Sequence, residues 1–320
     1  MNYKPILINS GEPYGIFSEI FFKSLKINNF KKPILLVTSK ELFLAQMKFL
    51  RFNFKINLID KKNINFKHLN NKKINIIDVK LNFKKPFDKL SNNTNSFINK
   101  CFEISLELLK TNKFSGLING PISKANFLRK KFLGITEYLA DKTNSKNVAM
   151  LIYNKELSVS PITTHLPLKN VHKNISKKKI IDHFYLINNF YKKKFKKKPR
   201  IAITGLNPHC ESNYKSSEED KIIKPAIKYL LKKKYILEGP YPADTIFLKQ
   251  NYCKYDVIIG MYHDQVLAPA KTLFGFNSIN ITLGLPFIRI SPDHGPNVAM
   301  IGKNKSNPQS LIEAIKFLDE

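Results

Sequence analysis

The chain has 320 residues, 43% of them hydrophobic, and a formal net charge of +30. That length can bury a sizeable core, and the composition is that of a globular protein, which excludes collagen-like and disordered classes. No apolar run reaches the roughly 18 residues needed to cross a bilayer, so no membrane association is expected. The start, MNYKPILINSGEPYGI, lacks the charged segment and long apolar stretch of a secretion signal, and a cytoplasmic location is expected. Cys101, Cys210 and Cys253 are odd in number and far apart with no CxxC spacing, which argues for reduced thiols rather than a disulfide framework. The charge is mostly lysine spread over the whole chain, densest in KKKFKKKPR at 192–200. No helix-turn-helix, zinc-finger or aromatic RNA-binding pattern accompanies it, so a solvated basic surface is expected and no specific nucleic-acid partner.

Short apolar runs alternate with amphipathic stretches throughout, the α/β pattern. In chain order, strands are expected at 5–9, 33–38, 116–119, 148–153, 200–204, 257–260 and 278–282. Helices are expected at 16–26, 40–49, 94–110, 177–191, 217–233 and 308–318, the last capped by Ser306 or Asn307 with Pro308 in its first turn. Residues 54–92 are rich in Asn and Lys and yield no assigned element. Neither GxGxxG nor GxxxxGK[ST] occurs, so no nucleotide fingerprint is present.

Chemistry-bearing residues concentrate in the last quarter, YHDQVLAPAKTLFGFNSINITLGLPFIRISPDH, from Tyr262 to His294. Asp264, Lys271 and Arg289 sit beside apolar segments, where a charge without a partner is costly. His165 in PITTHLPL and His209 in ITGLNPHC each follow a strand-like run, the place where α/β proteins gather ligand-binding groups. With His263 they suggest one metal site. His68, His172 and His183 lie in polar or amphipathic contexts and read as surface residues.

The segments TTHLPLKNV, GLNPHC, GPYPADTIF, YHDQ and NITLGLPFIRISPDHG resemble, in the same order, those of the 4-hydroxythreonine-4-phosphate dehydrogenase family. The resemblance runs from NSGEPYGI near residue 9 to NPQSLIEAI near the end. It implies an α/β, two-subdomain isocitrate/isopropylmalate dehydrogenase-like fold with the active site in the cleft between subdomains. The approximate subdomains are 1–130 with 270–320, and 131–269, the latter carrying much of a homodimer interface. It also explains NAD binding without the glycine-rich fingerprint. The activity implied is oxidation of 4-phosphooxy-L-threonine by NAD or NADP with a divalent ion (zinc, magnesium or cobalt). The β-keto acid so formed loses CO2 to give 3-amino-2-oxopropyl phosphate, a step of pyridoxal 5'-phosphate (vitamin B6) biosynthesis.

By the same resemblance His165, His209 and His263 are the metal ligands, not all from one subunit, so the site is shared across the dimer. Thr136, Lys271, Asn280 and Arg289 match substrate contacts. Asp244, Asp264 and Lys271 are the candidate catalytic groups, orienting ligands or moving protons. Asp293, His294 and Gly295 resemble the loop facing the nicotinamide. The chain departs from the family at Ile135, where GHTE is usual and GITE stands here. It departs again at CESNYKSSEED (210–220), at Ser123 in GPISK, and at VAMIGKNK (298–305). These differences leave room for a related dehydrogenase of 4-phosphothreonate or phosphoerythronate, or for a non-catalytic descendant with a basic binding surface.

Overall fold

The computed structural model describes residues 3–128, 132, 134–210, 216–292, 295 and 297–320. Among them the strands are β1 (Ile6–Asn9), β2 (Ile34–Thr38), β3 (Ile56–Leu58), β4 (Ile74–Asp78), β5 (Gly116–Asn119), β6 (Ala149–Tyr153), β7 (Ser158–Thr163), β8 (Ile201–Thr204), β9 (Leu237–Tyr241), β10 (Val257–Tyr262), β11 (Ile279–Leu283) and β12 (Arg289–Pro292). The helices are α1 (Phe17–Ile27), α2 (Lys40–Phe49), α3 (Asn95–Leu109), α4 (Lys124–Phe127), α5 (Ile135–Lys142), α6 (Lys177–Phe195), α7 (Lys224–Lys232), α8 (Ala243–Ile246), α9 (Lys249–Tyr252), α10 (His263–Phe274) and α11 (Gln309–Asp319). The chain divides into two compact units, 1–135 with 287–320, and 136–286. Residues 270–286, expected with the chain ends, pack with the middle of the chain because β11 pairs antiparallel with β6 over Ile279–Leu283.

The first unit holds strands in the order β3-β4-β2-β1-β5-β12, every pairing parallel. The runs ILIN and ILLVT in β1 and β2 are buried at every position, as parallel strands covered on both faces must be. Residues 54–92 contain β3 and β4, which the sequence reading did not place. Asn75 stands in the middle of β4, yet it is satisfied there: its amide donates to Ile34 and Asn70 carbonyls and its oxygen accepts from Asn57. Helix α11 begins one residue later than expected. Pro308 is its N-cap position, and Asn307 Oδ1 accepts from the Gln309 N–H at 2.8 Å.

The second unit orders its strands β11-β6-β7-β10-β8-β9, antiparallel at β11/β6 and β6/β7 and parallel from β7 to β9. Its core includes Met150, Ile152, Val159, Ile258, Val266 and Phe274, so α10 packs directly on the sheet. Gly284 closes the turn after β11 at φ +89°, and a Cβ there would lie 2.1 Å from the Asn147 carbonyl oxygen. Helix α6 starts at the Ser176 cap, runs to Phe195 and stops at Lys196 in the left-handed region. The helix expected over 217–233 is broken in two. A π-helical turn, Glu219–Ile223, precedes α7, and Pro225 lies in the first turn of α7, where its missing N–H is tolerated. His183 of α6 is a correction: it is 5% exposed, not on the surface, and its Nε2 lies 2.6 Å from Ser160 Oγ of β7. Burial first, then the nearby Lys179 charge, pulls its pKa down to about 3. No helix among the described residues is long and apolar enough to cross a membrane.

Candidate active site

Three adjacent parallel strands, β7, β10 and β8, end on the same side of the second unit. His165 follows β7 by two residues, His263 follows β10 directly and opens α10, and His209 lies five residues past β8. The expectation that these histidines stand at strand ends is what the register produces, and it is the side on which such sheets place ligands. His165 is half-buried, and its ring centroid lies 5.9 Å from that of His263, with 39° between planes. His209 is exposed, with φ 57° and ψ 7°. Among the described residues no three His, Cys, Asp or Glu side chains of one chain form a metal-sized group.

Asp264 is largely exposed, and its Oδ1 lies 2.7 Å from His263 Nδ1. An ionised carboxylate only accepts, so Nδ1 is the donor, and in the neutral ring that leaves the lone pair on Nε2. This is the carboxylate–histidine arrangement that suits a ligating imidazole, so His263, with His165 beside it, has the donor chemistry a divalent ion takes. Cys210 fits less well. Burial pushes its thiol up, away from the thiolate a metal needs, and its Sγ is packed against Gly205, 2.6 Å from where a Cβ on that residue would lie.

The strand ends are tied together by buried side chains that the sequence reading did not single out. Thr163 Oγ1 donates to the Met261 carbonyl at 2.8 Å. Gln265 Oε1 accepts from the Met261 N–H at 2.7 Å and from Thr204 Oγ1 at 2.9 Å, and its amide donates to the Gly205 carbonyl at 2.8 Å. Glu219, fully buried, accepts from the Leu206 and Asn207 N–H groups at 2.7 and 2.8 Å and from Asn207 Nδ2 at 2.8 Å. Burial alone would raise the Glu219 pKa, but these hydrogen bonds outweigh it and hold the carboxyl below its ordinary range. The loop they hold has His209 and Cys210 both at φ 57°. A non-glycine residue in that region costs about 1–3 kcal/mol, so the surroundings must over-determine it. Gln265 was visible as the last letter of YHDQ and Glu219 as part of SSEED, but neither string says where its partners lie.

Of the expected substrate contacts, Thr136 is buried at the start of α5, its Oγ1 3.3 Å from Thr282 Oγ1. Asn280 shares that β11 face two residues away, and its Oδ1 is buried with no hydrogen-bond partner among the described residues. Lys271 is exposed on α10, about 12 Å along the axis from His263 at 1.5 Å per residue. In the first unit Arg289 is 3% exposed, and its Nε donates to Asn119 Oδ1 at 2.6 Å. Asn119, at the end of β5, is a further residue the sequence reading did not mark. Asp244 is exposed on α8, close enough to Cys210 to raise the thiol pKa further by its charge. Gly295 is exposed; Asp293 and His294 lie outside the described residues.

A family model described as pyridoxal phosphate biosynthetic protein PdxA matches residues 29–318. A 4-hydroxythreonine-4-phosphate dehydrogenase of Sulfurihydrogenibium sp. is 38% identical over 98% of this chain and 96% of its own length. A Salmonella typhi protein, provisionally named D-threonate 4-phosphate dehydrogenase, is 31% identical over 99% of this chain and 98% of its own. The crystal structure of a Klebsiella pneumoniae 4-hydroxythreonine-4-phosphate dehydrogenase has a TM-score of 0.85 at 28% identity, covering 99% of this chain and 98% of that one. Isocitrate dehydrogenase of Methylococcus capsulatus, at 7% identity and TM-score 0.50 over 97% of this chain and 83% of that one, shares the fold alone. The fold is thus α/β of the isocitrate dehydrogenase-like kind, and this chain belongs to the PdxA family of pyridoxal phosphate biosynthetic dehydrogenases.

Proposed function

We propose that this enzyme oxidises 4-phosphooxy-L-threonine with NAD or NADP and a divalent ion, and that the resulting 2-amino-3-oxo-4-phosphooxybutanoate loses CO2 to 3-amino-2-oxopropyl phosphate. The observation that carries the reading is the His165–His263 pair at adjacent strand ends, with Asp264 on His263 Nδ1. His165, His209 and His263 would hold the ion, in a homodimer where the ligands do not all come from one chain. A divalent ion held there supplies Lewis acidity that lowers the pKa of the substrate hydroxyl. Asp293, His294 and Gly295 would face the nicotinamide, which when bound would supply the acceptor for the hydride of carbon 3.

The remaining work belongs to side chains. Arg289 and Lys271 bind the phosphate and carboxylate, Arg289 being oriented through its Nε by Asn119. Thr136 and Asn280 supply neutral hydrogen bonds from one face of β11 and α5. Asp264 fixes the tautomer of His263, and Asp244 and Lys271 are placed as groups that orient ligands or take up the proton. A cytoplasmic location and a surface without a specific nucleic-acid partner complete the reading. The test is NADH formation by the purified protein from 4-phosphooxy-L-threonine with and without EDTA. Turnover unaffected by the chelator, with the protein shown to be metal-free, would overturn the metal part.

A second reading, oxidation of 4-phosphothreonate, is favoured by Ile135 and by the Salmonella typhi relative. Ile135 is 8% exposed and cannot donate a hydrogen bond. Running both substrates in the same assay separates the two readings by their kcat/KM values.

A further inference from the structure

The loop from Gly205 to Cys210 is held from two sides. Gln265, two residues after His263, donates to the Gly205 carbonyl at 2.8 Å. On the other side Glu219 accepts the Leu206 and Asn207 amides and the Asn207 side chain. The requirement is mutual. A fully buried carboxylate needs donors to stay charged, and the consecutive, part-buried Leu206 and Asn207 amides find their acceptor in it. With the Asn207 backbone fixed, its carbonyl accepts the Cys210 N–H at 3.2 Å. His209 is then left in the left-handed region with its side chain exposed. A loop that merely joined β8 to the next helix could relax His209 into the ordinary region. Instead the unfavourable backbone is kept at two consecutive residues, the His209 that carries the imidazole and the Cys210 that follows it. Gly205 completes the constraint, since a Cβ there would meet Cys210 Sγ at 2.6 Å and Glu219 Oε1 at 3.0 Å.

We propose that Glu219 is a positioning residue for His209: its buried carboxylate sets the 206–207 backbone so that the His209 imidazole projects as a ligand to a divalent ion. This rests on the metal reading above. Glu219→Gln keeps the size of the side chain but replaces one acceptor by an NH2 group facing Asn207 Nδ2, a donor against a donor. Asn207→Ala removes the side-chain bonds to Glu219 and to Glu218 Oε2 (2.9 Å) and leaves the Glu219 carboxylate and the backbone amides in place.

The experiment is Co2+ binding to the full-length apo protein, followed by competition with a chelating dye and by the visible absorption bands of bound Co2+. His209→Ala is the reference variant. Ser160→Ala, buried in the same unit and bonded to His183 rather than to the loop, controls for general destabilisation. Glu219→Gln should weaken Co2+ binding about 10-fold or more and change the absorption bands in the direction seen for His209→Ala. Asn207→Ala should do the same to a smaller extent, and it decides the matter if Glu219→Gln does not fold. Ser160→Ala should lower the thermal midpoint yet keep wild-type affinity and bands. Wild-type Co2+ affinity and spectrum in folded Glu219→Gln and Asn207→Ala, beside their loss in His209→Ala, would overturn the positioning role alone. Retention of both in His209→Ala would overturn the metal reading itself.

Discussion

At His263 a single hydrogen bond decides which nitrogen can ligate. The Asp264 carboxylate holds Nδ1–H at 2.7 Å and frees Nε2. Outer partners of this kind are worth about 10–100-fold in metal affinity. Because Asp264 is largely exposed, Asp264→Asn should fall near the lower end, about 10-fold weaker by equilibrium dialysis, with His263→Ala losing far more. Ile135 tests the substrate. A hydrogen bond to a charged group is worth about 1.5–3 kcal/mol, or roughly 10- to 150-fold in binding. Ile135→His is therefore expected to lower KM for 4-phosphooxy-L-threonine within that range at unchanged metal content. A raised KM would instead mean a pocket built around an apolar wall, and 4-phosphothreonate would move ahead. Lys130 and Lys131, the lysines near enough in sequence to replace that contact, lie outside the described residues.

Helix α6 is anchored to β7 through His183 and Ser160, and this makes its attachment pH-dependent. The folded pKa of His183 is pulled down to about 3 by burial and then by Lys179, against an ordinary value of 6.5. The folded state therefore prefers the neutral ring. Above about pH 7 the residue adds no pH dependence. As pH falls from 6.5 towards 3 the unfolded chain takes up a proton that the folded chain refuses, and stability is lost by up to about 1.4 kcal/mol per pH unit. Urea unfolding at pH 7.5, 6 and 5 should show this slope, and His183→Gln should flatten it by about that amount. The turn after β11 offers a second check. Gly284→Ala would set a Cβ 2.1 Å from the Asn147 oxygen at φ +89°, and a loss of about 2–3 kcal/mol in the same assay is expected.

Across the whole molecule the dominant electrostatic feature is the +30 net charge. Much of the 192–200 run lies at and beyond the end of α6, where two of the lysines pack over tyrosine rings, Lys192 over Tyr235 and Lys197 over Tyr191. DNA or RNA binding should accordingly be weak and sequence-independent and should fade steeply between 50 and 200 mM salt, by roughly 10³–10⁵ for six to ten phosphate contacts. Sequence-selective, nanomolar binding at physiological salt in a fluorescence titration would contradict this.

The sequence by itself determined the α/β class, the apolar strands such as ILIN and ILLVT, and the residue types of the candidate site, because parallel strands buried on both faces and unusual His, Lys and Arg placements are local signals. It did not reveal β4, since Asn75 breaks the apolar run and is acceptable only once Ile34, Asn57 and Asn70 surround it. Nor did it reveal that His183 is buried, because the Ser160 partner comes from a strand 23 residues away. The same holds for the support of the histidines. Gln265, Glu219 and Asn119 have roles defined by hydrogen-bond partners distant in sequence, and a hydrogen bond between remote segments leaves no periodicity in the chain. Only the tertiary structure brings a donor and its acceptor to within about 3 Å, and that distance separates a polar residue that supports the site from one that merely faces solvent.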